Sequence, residues 1–245
     1  MRSSNPIFRD SVLERTYALT DRPMTIAGTM NKLILLAIIM CVGGSAIYYK
    51  FLQHQYDFVT LATTVSMFVS LGLVILLSFK MDWTKYIAPL YAFLQGVFLF
   101  GVSCFFEQSY PGIVMQAVSI TFITVFAMAA LFIIGAIKAT EKFKAIITTA
   151  TLAIMIFYLI SIVLTWVFHI NVPYFTSTST LSIVINVAIA IVAALNLIID
   201  FDFIDRGVKS FYPAEMEWYG AFGLVVTIAW LYIEILRLLS RFRSR

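Results

Sequence analysis

Long apolar runs alternate with short polar breaks along most of the chain. Seven runs lie at about 31–50, 58–79, 86–106, 112–137, 145–169, 179–203 and 217–239, and each approaches the ~20 residues a helix needs to cross a bilayer. The breaks are the polar segment from Lys50 to Asp57, the charged turn from Lys80 to Lys85 and the Tyr110-Pro111-Gly112 turn. They continue with the charged loop from Lys138 to Lys144, the Pro173-containing loop from Asn171 to Ser179, and the stretch from Asp205 to Met216. The pattern predicts an all-α integral membrane protein, a bundle of seven transmembrane helices. It divides the chain into an N-terminal arm (1–30), a seven-helix domain (31–239) and a basic C-terminal tail (240–245).

Composition agrees. The chain is 61% hydrophobic and 12% charged, with a mean hydropathy of +0.94, whereas a soluble domain carries roughly 25% charged residues. The net charge of +4 comes from loops and ends, so it bears on orientation and not on nucleic acid. A cytoplasmic N-terminus puts Arg2, Arg9, Arg15, Arg22, Lys32, Lys80, Lys85, Lys138, Lys142, Lys144, Arg206 and Lys209 on the inner side. Lys50 and the last arginines, Arg237, Arg241, Arg243 and Arg245, then fall outside. The arm is not a cleavable signal peptide, because no apolar stretch closely follows its first charges. Cys41 and Cys104 both lie in apolar runs, where a packing role is expected over a disulfide.

Polar residues inside the runs carry the candidate chemistry. In the sixth, Ser182, Asn186, Ala190, Ala193, Asn196 and Asp200 recur at three- and four-residue steps, which puts them on one helix face. That face turns inward, either as a hydrogen-bonded helix contact or as the wall of a polar path to Asp200. Asp202 points to roughly the opposite side, and Asp205 and Arg206 read as solvated ends. In the seventh run Thr227, Trp230 or Leu231, and Glu234 share a face, and Arg237 is placed to pair with Glu234. Glu217 opens that helix, where it either caps the positive end of the dipole or crosses the loop to face the acids ending the sixth helix. Glu107 reads as an exposed loop acid or the guard of an outer mouth. His54 and His169 have no metal-ligand spacing.

No catalytic motif occurs: there is no HExxH, GxSxG, Walker loop or helix-opening GxGxxG. The expectation is a protein that is not an enzyme and holds no cofactor.

Three passages resemble the Bax inhibitor-1 family in its bacterial YccA-like branch. They are FLQGVFLFGVSCFFEQSYPGIVMQA (93–117), ALNLIIDFDFIDRG (194–207) and EWYGAFGLVVTIAWLYIEILRLLSRF (217–242), and the N-terminal SSNPIF is similar to one subgroup. The resemblance covers about residues 30–242. It implies a seven-helix bundle with the last helix central, in a bacterial cell membrane with the N-terminus cytoplasmic. It also implies a pH-sensitive calcium leak, in which two aspartates on the sixth and seventh helices share a proton and latch a path shut. Asp200 matches the first of these and becomes the expected cation or metal position. The second falls near Thr227, counted back from Arg237, and threonine does not titrate. The gating candidates are therefore Asp200, Asp202, Glu217 and Glu234, supported by Asn186, Asn196, Thr227 and Arg237. The implied partners are the lipid bilayer and Ca²⁺ or protons. The alternative is a non-conducting regulator that binds membrane proteases or other membrane proteins.

Overall fold

A computed structural model describes residues 22–169 and 180–244. It contains seven helices long and apolar enough to cross a membrane, one for each apolar run. They are α1 (Ile26–Leu52), α2 (Tyr56–Phe79), α3 (Thr84–Ser109), α4 (Ile113–Ile134), α5 (Glu141–Trp166), α6 (Thr180–Lys209) and α7 (Met216–Arg243). The shortest has 22 residues and the longest 30, or about 33–45 Å at ~1.5 Å per residue. The protein is an all-α, seven-span membrane protein. Successive crossings place the start of α1 and the α2–α3, α4–α5 and α6–α7 turns on one face, here called the arm face.

Local chemistry sets the ends. Thr25 caps α1 by accepting from Gly28 N at 2.9 Å, and Thr140 caps α5 by accepting from Phe143 N at 3.2 Å. Gly135 ends α4 in the left-handed region at φ 77°, which its missing Cβ permits.

Two boundaries move. Residues 26–30, assigned from sequence to the arm, already belong to α1, because the Thr25 cap precedes the apolar run by a full turn. Residues 240–243, assigned to a tail, continue α7, with Ser240 and Arg241 buried. Residues 1–21 of the expected arm and all of the expected loop at 171–179 lie outside the described residues.

α7 is central and packs against α1, α3, α4 and α6. Its inner face contributes Leu224, Ala229, Leu231, Tyr232, Ile235 and Leu236 to the main core. The closest crossing is between α1 and α3. There Gly43 lies against the carbonyl of Phe93, and Gly96 against the carbonyl of Met40. In lipid, helices gain from such bare backbone contacts because apolar side chains alone give no advantage over lipid tails.

α5 is the outlier. Most of its side chains are exposed, and among the described residues its helix packing is chiefly on α6. Polar ties at seven-residue spacing hold it. Lys144 pairs with Asp202 at 2.9 Å, Thr151 accepts from Asn196 at 2.8 Å, and Tyr158 donates to Glu234 at 2.6 Å. A seven-residue step keeps one stripe of a helix toward its neighbour.

Candidate functional site

α6 and α7 are antiparallel neighbours joined by a short turn, so the last turns of α6 face the first turns of α7. The sixth-helix ladder of small and polar residues does turn inward: Ser182, Asn186 and Ala193 are buried. Asp200 sits where α7 offers almost no side chain. Its Oδ1 lies 3.5 Å from the point where a Cβ on Gly223 would stand. Four residues on, one turn along the same face, the buried Thr227 side chain lies beside Asp200. Asp200 Oδ2 is sealed from solvent and has no hydrogen-bond partner among the described residues. Tyr219 lies within electrostatic range.

The other candidate acids are held elsewhere. Asp202 pairs with Lys144 and with Arg206, the latter at 2.7 Å. Glu217 neither caps α7 by its side chain nor faces the acids of α6, as the sequence suggested. It reaches back to α1, accepting from Thr25 N and Thr25 Oγ1 at 2.9 Å each and pairing with Lys32. Gly28 leaves room for that carboxylate against α1. Glu107 caps the α3–α4 turn, accepting from Gly112 N at 2.5 Å and Val114 N at 3.0 Å.

Glu234 is fully buried and forms the densest polar cluster. It accepts from Tyr158 at 2.6 Å, from Asn186 Nδ2 at 2.7 Å and from Arg237 at 3.1 and 3.2 Å. Arg237 also donates to the Tyr158 hydroxyl at 3.0 Å, with its guanidinium 5.5 Å from the ring centre. Nearby, Arg241 donates to the Ser182 carbonyl at 2.6 Å, and Arg243 donates to Pro111 O and Gln116 Oε1. These C-terminal arginines bind the bundle itself, which accounts for basic residues on the face opposite the arm.

The structure therefore sets Asp200 beside Thr227 and joins Asn186 and Arg237 to Glu234, while Asn196 serves α5. Among the described residues Asp200 pairs with none of the other candidate acids. Sequence reasoning missed Thr25, Lys32, Thr151 and Tyr158. The seven-residue spacing of Lys144, Thr151 and Tyr158 was a usable signal on an otherwise apolar helix. Nothing local flagged Thr25.

The Bax inhibitor 1 like family matches residues 5–244. The chain belongs to that family. No curated protein matches it. The family match spans α1 to α7, so Asp200 and Thr227 both stand inside a Bax inhibitor 1 like multi-pass membrane domain.

The arrangement limits what the site can do. A resident calcium ion takes about six to eight oxygens, and Asp200 with Thr227 offers far fewer. Among the described residues no three His, Cys, Asp or Glu side chains converge on one point. The pair suits a proton, or a cation in passage, better than a stored ion.

Proposed function

We propose that this protein is a pH-sensitive cation leak, calcium among the cations it passes, gated where Asp200 of α6 meets α7. We infer its setting to be a bacterial cell membrane with the N-terminal arm cytoplasmic, in the YccA-like branch. The observation that carries the reading is the state of the Asp200 carboxyl: it lies beside Thr227 and bare Gly223, and Oδ2 has no donor among the described residues. An acidic side chain inside a membrane span is costly and marks a path for ions or protons by default. An oxygen without a donor is the one that can take a proton or a cation. Proton occupancy then decides whether the seam between α6 and α7 holds a neutral group or a hard anionic oxygen.

Thr227 sets this site apart from a shared-proton pair of aspartates. Repulsion between two carboxylates cannot open the seam here, so a single carboxylate must gate through its own charge. The same substitution favours a second reading, a non-conducting regulator of membrane proteases that kept the fold without the latch.

The test is calcium flux into liposomes holding the purified protein, at about pH 6 and pH 8, beside Asp200→Asn. The leak is expected to rise at least about threefold toward pH 8, and Asp200→Asn to leak at one low rate at both. Flux no greater than in empty liposomes would sink the leak and leave the regulator. Native pH dependence in Asp200→Asn would move the gate elsewhere.

A further inference from the structure

The chain just before α1 folds back onto the α6–α7 turn. Pro23 and Pro213 form an antiparallel bridge. Met24 N donates to Tyr212 O at 2.7 Å, and Ala214 N donates to Arg22 O at 3.1 Å. The next residue, Thr25, is fixed to Glu217 through its N–H and its hydroxyl. Four residues are thus stitched to the connection between the two helices that meet at Asp200.

Met24 is the apolar part of this stitch and is 1% exposed. It lies in a notch made by two glycines. A Cβ on Gly207 would come within 2.7 Å of Met24 Sδ, and one on Gly220 within 3.4 Å of Met24 Cε. Ile204 and Thr29 close the same notch at 3.1 and 3.3 Å from the Gly220 position. On α7, Gly220 lies three residues from Gly223, the residue under Asp200. On α6, Ile204 and Gly207 lie four and seven residues beyond Asp200, about 6 and 10 Å along the helix. Met24 therefore fills the seam one to two turns from Asp200, on the side of the arm face.

We propose that residues 22–25 form a strap that closes the arm-face approach to Asp200, with Met24 as its plug and Thr25–Glu217 as its catch. Among the described residues the fastening is two backbone hydrogen bonds, the Met24 side chain and the two bonds from Thr25 to Glu217. Segments held by so few contacts open locally without unfolding the whole. The buried core of α7 stays in place when the strap lifts, and the glycine notch it leaves is open to water. The strap makes access to Asp200 a property of the chain preceding α1. The inference deepens the leak reading, resting on it for its flux consequence, while the exposure of Asp200 stands apart from it.

The experiment uses the full chain in lipid nanodiscs, with Cys41→Ser and Cys104→Ala and a reporter at Asp200→Cys. The probe is a cationic, membrane-impermeant methanethiosulfonate. Modification is expected to be at least about tenfold faster with Met24→Ala and about threefold faster with Thr25→Val. Rates within about twofold of the reporter alone in both variants overturn the strap. If Met24→Ala does not elute as a single folded species, Thr25→Val decides alone. In parallel, calcium leak is measured for Met24→Ala with Asp200 intact. Faster labelling with a raised leak supports the strap and the leak together. Faster labelling without leak keeps the strap and sinks the leak reading. Unchanged labelling sinks the strap whatever the flux.

Discussion

Replacing Glu234 tests whether the buried cluster on α7 is held by charge. Glu234→Leu keeps a side chain of similar bulk and removes the carboxylate at the centre of the cluster. Tyr158, Asn186 and Arg237 then lose the carboxylate they reach at 2.6 to 3.2 Å. Glu234 itself is fully enclosed, and the Arg237 side chain is 23% exposed. Removing one partner of a buried ion pair costs about 3–5 kcal/mol, because the other charge stays behind uncompensated. Partial exposure of Arg237 puts the expected loss at the lower end, about 3 kcal/mol. The double variant Glu234→Leu with Arg237→Met removes both charges and should recover most of that loss, to within about 1–1.5 kcal/mol of the native protein. Unfolding of purified protein in mixed micelles, titrated with a denaturing detergent, gives all four corners of the cycle. A double variant that loses the sum of the two singles would refute the reasoning, since the groups would then be acting independently.

Two further outcomes follow from the packing. Gly96→Leu puts a side chain into the carbonyl of Met40 and should cost at least about 1–3 kcal/mol, read as a lower thermal midpoint in detergent. An unchanged midpoint would mean that α1 and α3 are not in that contact. Asn196→Ala breaks the middle tie of α5 and should cost about 0.6 and no more than about 1.7 kcal/mol, the range for interhelical hydrogen bonds in a membrane. Its clearer sign is faster hydrogen exchange confined to α5, and protection equal to native along that helix would count against the tie.

The helices were legible because crossing a bilayer demands long apolar runs, and the breaks between them carry charge, proline or glycine. The Asp200 position was legible for a related reason: an acid within such a run stands out. The destinations of the other acids were not. Glu217 and Glu234 look alike in the sequence, one near each end of α7, yet Glu217 goes to α1 and Glu234 gathers α5 and α6. Helix spacing tells which side chains share a face, but which neighbour that face meets depends on contacts remote in the chain. The Glu217 bonds span 185 and 192 residues, beyond the reach of any local pattern. The Arg237 pairing, three residues from Glu234, was within reach of helix spacing, and it was found.

The four acids differ in what surrounds them. Glu217 has three donors, one of them a lysine. Glu234 has a tyrosine, an asparagine and an arginine. Asp202 has a lysine and an arginine. Each of these three carboxylates lies against at least one cationic side chain. Asp200 has Thr227 beside it and a carboxyl oxygen with no hydrogen-bond partner among the described residues. On the leak reading proposed above, that oxygen is the one that takes the proton or cation, and the acids paired to α1 and α5 hold α7 in the bundle. A threonine opposite Asp200 suffices for such a gate, because a second carboxylate would supply no donor to that oxygen.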